Sequence, residues 1–305
     1  MQKQIIIAGP TASGKTSLSI MLAKELNAEI ISVDSRQCYK YLDIGTAKPS
    51  GHELMQVKHH NISVLNPDER DSVAAFKKRA DQYVAEIESR GKRVIFCGGS
   101  TLHLQSLIRP LDEIPSSDKK NIDELSKLAD QKGIEYLYNQ LLEADPDYAM
   151  RMDGKNRQRI IRALDVFQQT GKPFSSFHSD KSFNLPENKQ LFVLHHPRKK
   201  LHQRIEKRTD AMFTSGIVEE TKSILNMGYG KNIQSLQTVG YREVILFLEG
   251  KMVEKQMIEK VKTSTRRYAK RQITWFRRWP FAIPLDMSAK TENEAAGKIV
   301  TILKT

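Results

Sequence analysis

Residues Gly9-Pro10-Thr11-Ala12-Ser13-Gly14-Lys15-Thr16 fill the pattern G-x-x-x-x-G-K-[ST] completely, and each residue type in it has a chemical use. Glycines let successive backbone N–H groups turn onto phosphate oxygens, and the start of the following helix adds partial positive charge. Lys15 supplies a mobile cation, and the Thr16 hydroxyl can reach a Mg2+ ion. All eight residues are therefore candidates for holding a diphosphate or triphosphate, with Thr16 as the metal ligand. The pattern does not say whose phosphate it holds, and ATP is the default for such a loop. Kinases and ATPases of this kind carry an apolar strand that ends in a magnesium-binding aspartate. Here Val94-Ile95-Phe96-Cys97 runs into Gly98-Gly99-Ser100 without an acid, whereas Ile30-Ile31-Ser32-Val33 ends in Asp34. That places a carboxylate at the sheet edge where ligands bind. Asp34 can serve there as a general base, a magnesium ligand or a cap for the next turn.

These residues require a strand before the loop, a helix after it and further parallel strands beside it. Ile5–Ala8 is a short apolar run and Ser17–Leu26 carries helix periodicity. Strand and helix signals go on alternating through Glu29–Val33, Ala74–Glu88, Arg93–Cys97 and a helix from Leu102, which predicts a parallel α/β sheet. From about Pro115 to Pro186 the signal is helical throughout. Its helices are Asn121–Ala129, Ile134–Leu142 and Gln158–Gln168, broken at Gly133 and Asp145-Pro146. Gln190–Leu194 reads as a strand returning to the sheet. Helices follow near Lys200–Phe213, Val218–Asn226, Tyr241–Leu248 and Met257–Trp279. The expected architecture is a P-loop NTPase-like α/β core of parallel strands (residues 1–115 and 190–305). A helical insertion domain (residues 116–189) interrupts it.

Composition narrows the function. Of the 305 residues, 39% are hydrophobic and 28% charged, as in an ordinary globular protein. No apolar run is long enough to span a bilayer. Met1-Gln2-Lys3 leads straight into the first strand, leaving no room for a targeting peptide. The two cysteines, Cys38 and Cys97, have no metal-ligand spacing, so a cytoplasmic protein without a disulfide framework or zinc finger is expected. The net charge is +13, and its placement is uneven. Between His195 and Pro280 nineteen lysines and arginines stand against eight acids, so most of the excess lies there. A charge excess can serve solubility alone, but a concentration of this kind favours a nucleic-acid partner.

Further motifs carry a resemblance. Asp34-Ser35, Tyr39-Lys40 and Asp43-Ile44-Gly45-Thr46-Ala47-Lys48-Pro49 come first, followed by Gly98-Gly99-Ser100 and Arg162-Ala163-Leu164. Val239-Gly240-Tyr241-Arg242 and Lys270-Arg271-Gln272-Ile273-Thr274-Trp275 complete the set. Together they closely resemble the tRNA dimethylallyltransferase family, in family order over nearly the whole chain. The resemblance implies transfer of the five-carbon group of dimethylallyl diphosphate to an adenine N6 amine. The acceptor is the adenine immediately 3′ of the anticodon, in tRNAs that read codons starting with U. It also implies Asp34 as the base, Arg208 as the diphosphate-contacting arginine, and Ser100 in place of a threonine near the reacting amine. Arg204 lies one turn before Arg208 on the same helix. Mg2+ is the implied cofactor, the tRNA anticodon stem-loop the partner, and a monomer the expected state.

By the same resemblance, tRNA contacts are expected from Asp34, Ser35, Arg36 and Gln37, and from Gln158, Arg159, Ile160, Ile161 and Arg162. Gly240, Tyr241, Arg242, Lys270, Arg271 and Arg277 are expected to add to them. A base must leave its stack to react, and splayed RNA bases are read on aromatic or arginine planes and at their edges. The stretch Arg151–Arg162 holds Arg151, Lys155, Arg157, Arg159 and Arg162 against Asp153 alone. From Arg266 to Trp279 basic residues alternate with Tyr268, Trp275, Phe276 and Trp279. The aromatics at helical spacing read as core and the basic side as phosphate-contacting. Two features depart from the family pattern: His103 stands where a tyrosine is usual, and Asn61-Ile62-Ser63 where an acid is usual. No cysteine follows Cys97, so the zinc finger of eukaryotic members is not expected and a bacterial-type member is implied. The rival readings are an adenylate isopentenyltransferase acting on free nucleotides and a P-loop kinase.

Overall fold

Ile5-Ile6-Ile7 has no polar face, so the strand it forms must be covered on both sides, which is the condition of a parallel sheet flanked by helices. The computed structural model describes residues 2–152, 156–178, 184–288 and 291–304, and all three isoleucines are fully buried in it. In chain order the first part contains β1 (Gln4–Ala8), α1 (Lys15–Glu25), β2 (Ala28–Val33), α2 (Gly51–Gln56) and β3 (His59–His60). It continues with α3 (Val73–Ser89), β4 (Arg93–Gly98) and α4 (Thr101–Ile108). The middle is α5 (Lys119–Lys132), α6 (Ile134–Ala144), α7 (Pro146–Met150) and α8 (Arg157–Thr170). The last part is β5 (Lys189–His195), α9 (Arg198–Thr214), α10 (Ile217–Asn226), α11 (Tyr241–Leu248), α12 (Glu254–Phe276), β6 (Ile283–Asp286) and α13 (Glu292–Lys304).

The sheet has six strands in the order β3-β2-β4-β1-β5-β6, and every pairing is parallel. Strand β1 sits between β4 and β5, so the loop that follows it opens at the centre of the carboxyl edge, where open α/β sheets bind ligands. One core cluster joins Ile5, Ile7 and Ile30 to Leu18 and Leu22 of α1 and to Ile299 of α13. The chain divides into two compact units, Pro110–Phe183 and the remainder, the first lying about six residues earlier than the 116–189 span read from sequence. In the helical unit the core is Leu125, Leu137, Leu141, Ile160, Ile161 and Leu164 among others. Its buried Asp165 accepts from Arg162 at 2.6 Å and Gln169 at 2.7 Å. Among the described residues no helix is long and apolar enough to cross a membrane.

The short elements α2, β3 and α7 are absent from the sequence reading, as are β6 and α13 near the end of the chain. β6 is a four-residue edge strand containing Pro284, and proline at an edge is tolerated because one side of the strand needs no donor. Helix α12 starts and ends three residues before the span expected for it. Trp279 lies beyond it, buried, with its ring 5.5 Å from that of Phe276, so its apolar character reports packing after the helix has ended.

Candidate active site

The loop from Gly9 to Gly14 links β1 to α1. A side chain on Gly9 would press on Leu194 of β5, its Cβ 3.1 Å from the Leu194 Cβ. Ala12 and Gly14 take left-handed backbone angles, φ 62° and 91°. Glycine adopts such angles freely, and alanine only where its surroundings enforce it. The enforcement comes from neighbouring elements. Arg204 Nε donates to the Ala12 carbonyl at 2.6 Å and His196 Nε2 lies 3.0 Å from the Ser13 carbonyl. The Thr11 N–H donates to Gln272 Oε1 at 2.9 Å. With the peptide planes fixed, the amides of Ala12, Gly14, Lys15 and Thr16 find no protein acceptor among the described residues. That is a cradle of donors at a helix N-terminus, the arrangement that binds phosphate. Lys15 Nζ folds back to the Pro10 carbonyl at 2.8 Å. Burial pulls its pKa down to about 8, Cys97 opposes that, Arg208 adds to it, and Asp34 opposes it.

Asp34 follows β2 and its two oxygens divide their work. Oδ1 accepts from the backbone N–H groups of Arg36 at 2.8 Å and Gln37 at 3.2 Å, which caps the turn. No donor reaches Oδ2 among the described residues, so the turn cap and an open carboxylate oxygen coexist. Arg208 of α9 is half-buried. Burial lowers the pKa of its guanidinium, and the charge of Asp34 opposes that shift. The structure thereby separates Arg208, which feels the field of Asp34, from Arg204, which holds the outside of the loop. Ser100 donates its backbone N–H to the Val33 carbonyl at 3.2 Å, so its hydroxyl stands one strand over from Asp34. A Cβ on Gly98 would fall onto that same Val33 carbonyl, hence glycine there.

Two residues of α12 that the sequence reading did not assign to the site belong to it. Gln272 is buried and its amide spans two loops, accepting from Thr11 and donating to the Gly99 carbonyl at 2.7 Å. The phenol of Tyr268 has its pKa raised, first by burial and then by Asp34, against Arg36, Arg271 and Arg208. It stands among the site's charges instead of in an apolar core. The helical spacing of Tyr268 was visible in the sequence, but the charges around it come from other elements.

The residues expected to meet tRNA fall into two sets. Gln158 and Arg159 at the start of α8 are exposed, as are Lys270, Arg271 and Arg277. Arg271 lies 5.8 Å from the Tyr268 ring centre. Ser35 and Arg36 are half-buried beside Asp34. Arg151 is exposed, whereas Asp153 and Lys155 lie outside the described residues. The other set is committed to the fold. Ile160, Ile161 and Tyr241 are buried and have no side-chain surface to offer RNA. The Gln37 amide is spent on Ser32, Thr46 and Ala47. Arg162 is held by Asp165 and the Pro115 carbonyl; Arg242 pairs with the buried Glu243 at 2.8 Å but keeps an exposed side chain. Gly240, φ 100°, starts α11.

The role of Tyr241 is internal. Its hydroxyl donates to Glu220 at 2.5 Å and accepts from the Gly45 N–H at 3.1 Å, while Glu220 also accepts from Asp43 at 3.0 Å and Ile44 at 2.8 Å. The Asp43–Thr46 motif is therefore moulded by the Gly240–Arg242 motif. Tyr241→Phe is expected to cost about 1–2 kcal/mol in chemical denaturation, the loss of a buried hydrogen-bonded hydroxyl, with tRNA affinity unchanged. An affinity loss without a stability loss would return Tyr241 to the RNA surface.

The profile of the IPP transferase family matches residues 37–279. A tRNA dimethylallyltransferase of Clostridioides difficile is 43% identical over 302 residues, covering 98% of this chain and 97% of that protein. The crystal structure of a full-length tRNA isopentenylpyrophosphate transferase from Bacillus halodurans is 35% identical with a TM-score of 0.73, covering 100% and 97% of the two chains. A eukaryotic dimethylallyltransferase acting on tRNA, 27% identical, superposes with a TM-score of 0.81 over 99% of this chain and 78% of that one. With a family profile over most of its length and relatives over nearly all of it, the chain belongs to the IPP transferase family, that of the tRNA dimethylallyltransferases.

Proposed function

We propose that the chain transfers the dimethylallyl group from dimethylallyl diphosphate to the N6 amine of the adenine 3′ of the anticodon, in tRNAs reading codons that start with U. The observation that carries the reading is Asp34 Oδ2, open beside a phosphate cradle and one strand from Ser100. The adenine amine is a weak nucleophile because its lone pair is delocalised into the ring. As its bond to the prenyl carbon forms and the carbon–oxygen bond to diphosphate breaks, Asp34 takes the amine proton. The free amides of the loop, with Lys15 and Arg208, receive the charge that develops on the leaving diphosphate.

The residues also suit Mg2+. Among the described residues no group of three or more His, Cys, Asp or Glu side chains could cage a metal, and Mg2+ takes few protein ligands when substrate phosphates supply the rest. Thr16, whose hydroxyl has no protein partner among the described residues, would hold it. Bound there, the ion neutralises diphosphate charge. Each unit has its own exposed cations for the RNA backbone: Arg159 in the helical unit, and Arg267, Lys270, Arg271, Arg277 and Arg278 along and after α12.

The test offers radiolabelled dimethylallyl diphosphate and Mg2+ with unmodified tRNA, AMP or ATP in parallel. Label on the anticodon-loop adenine alone supports the proposal. Label on free nucleotide, or ATP hydrolysis without transfer, overturns it in favour of the nucleotide prenyltransferase or the kinase. Affinity for tRNA is expected to fall roughly hundredfold between 50 and 200 mM salt, for about five phosphate contacts. A flat response in filter binding would take those cations off the RNA surface.

A further inference from the structure

Ser100 occupies the N-cap of α4 but makes no capping bond. A serine there ordinarily accepts from a backbone N–H two or three residues on. Here Oγ turns to the side chain at the third helical position, His103, whose Nδ1 lies 2.7 Å away. The His103 ring is buried, edge-on to Phe76 at 4.5 Å between centres. Its Nε2 has no hydrogen-bond partner among the described residues and faces Asp71 Oδ2 at 3.9 Å. Asp71 is fixed in turn, since Arg79 donates to Oδ1 at 2.9 Å and its own N–H donates to Gln234 at 3.0 Å.

Of the two neutral tautomers of the ring, a carboxylate facing Nε2 favours the one with its proton on that nitrogen. Nδ1 is then a bare acceptor, and the hydrogen of the 2.7 Å bond must come from Ser100. With its hydrogen committed, the serine oxygen has only lone pairs left to present. An exocyclic amine carries two in-plane N–H groups. Two acceptors that hold them, Asp34 Oδ2 and Ser100 Oγ, fix the plane of the base and turn the nitrogen's face toward the prenyl carbon.

We infer that His103, backed by Asp71, is a positioning residue that fixes the Ser100 hydroxyl as a hydrogen-bond acceptor for the amine that is alkylated. This rests on the prenyl-transfer reading of the site. Turnover by the unaltered protein, measured first, tests that reading separately: without it the reading fails, and with it only the role of His103 is at stake.

The experiment measures kcat and KM of the full-length protein with tRNA, dimethylallyl diphosphate and Mg2+. His103→Phe fills the space without an acceptor and is expected to lower kcat about ten- to hundredfold, with KM for the diphosphate unchanged. His103→Asn puts an oxygen near the place of Nδ1 and is expected to restore kcat to within about threefold of the parent. Ser100→Ala should lose as much as His103→Phe, and the double variant should lose no more than either, because both remove one hydrogen bond. Thermal melts confirm that each variant is folded. Multiplying losses in the double variant overturn the inference, as does a folded His103→Asn no better than His103→Phe. If His103→Asn does not fold, the double-variant comparison decides alone.

Discussion

Asp34→Asn is expected to slow prenyl transfer about a hundred- to ten-thousandfold, the usual contribution of a positioned base, with tRNA affinity nearly unchanged. The choice of asparagine follows from the division of labour between the two oxygens. An amide oxygen in place of Oδ1 still accepts from the Arg36 and Gln37 N–H groups, so the turn survives while the proton acceptor is lost. Asp34→Ala should slow transfer as severely and, in addition, cost about 1 kcal/mol of stability through the lost cap. Single-turnover rates and urea melts on the two variants separate the roles. An asparagine variant with more than about a tenth of the parent rate would remove Asp34 as the base.

Lys15→Met carries the second large effect, and its two parts have opposite sign. The ammonium of Lys15 is held at a pKa of about 8, against 10.5 for a free lysine, with burial the largest cause. A folded-state pKa below the unfolded one means that the unfolded chain binds more protons between pH 8 and 10.5. Stability of the ligand-free protein therefore rises across that interval. Below pH 8 the buried charge costs on the order of 2 kcal/mol after allowance for its partial exposure. Methionine removes that cost, so the free variant should melt higher than the parent at pH 7. Diphosphate binding should weaken a hundredfold or more with the cation gone. In the parent protein diphosphate affinity should hold steady below pH 8 and fall about tenfold per pH unit above it. Calorimetric titration across pH 6.5–9.5 checks both parts, and a variant that melts lower and binds normally contradicts them.

The loop Gly9–Thr16 and Asp34 could be singled out as candidates from sequence because their chemistry is local: eight consecutive residues, and an acid at the end of an apolar strand. The α/β order was legible for the same reason, since each strand and helix carries its own periodicity. Short elements escaped. α2 has six residues and β3 two, under two helical turns and a single strand alternation, too short for a periodic pattern to stand out. Tyr241 shows a different limit. Its motif was recognised, but whether a tyrosine stacks on RNA or bonds to a loop some two hundred residues away depends on where Gly45 and Glu220 fold. Gln272 and Tyr268 were hidden likewise, because their functional neighbours, Thr11, Gly99 and Asp34, lie far away in the chain. His103 stood out in sequence as a departure, and its bond to Ser100 gives that departure a use.

The position of β1 has a consequence for the order in which the molecule is made. β1 pairs with β4, Ile5 opposite Ile95, and with β5, Gln4 opposite Lys189. During synthesis the second pairing cannot form until β5 has left the ribosome. Meanwhile the helical unit, whose contacts are close in sequence, can complete itself on the fast timescale of local structure. Gly9 packs on Leu194, and the loop carbonyls wait for His196 and Arg204. The Gly9–Thr16 loop, translated ahead of β4 and β5, is thus among the last parts of the chain to acquire its shape.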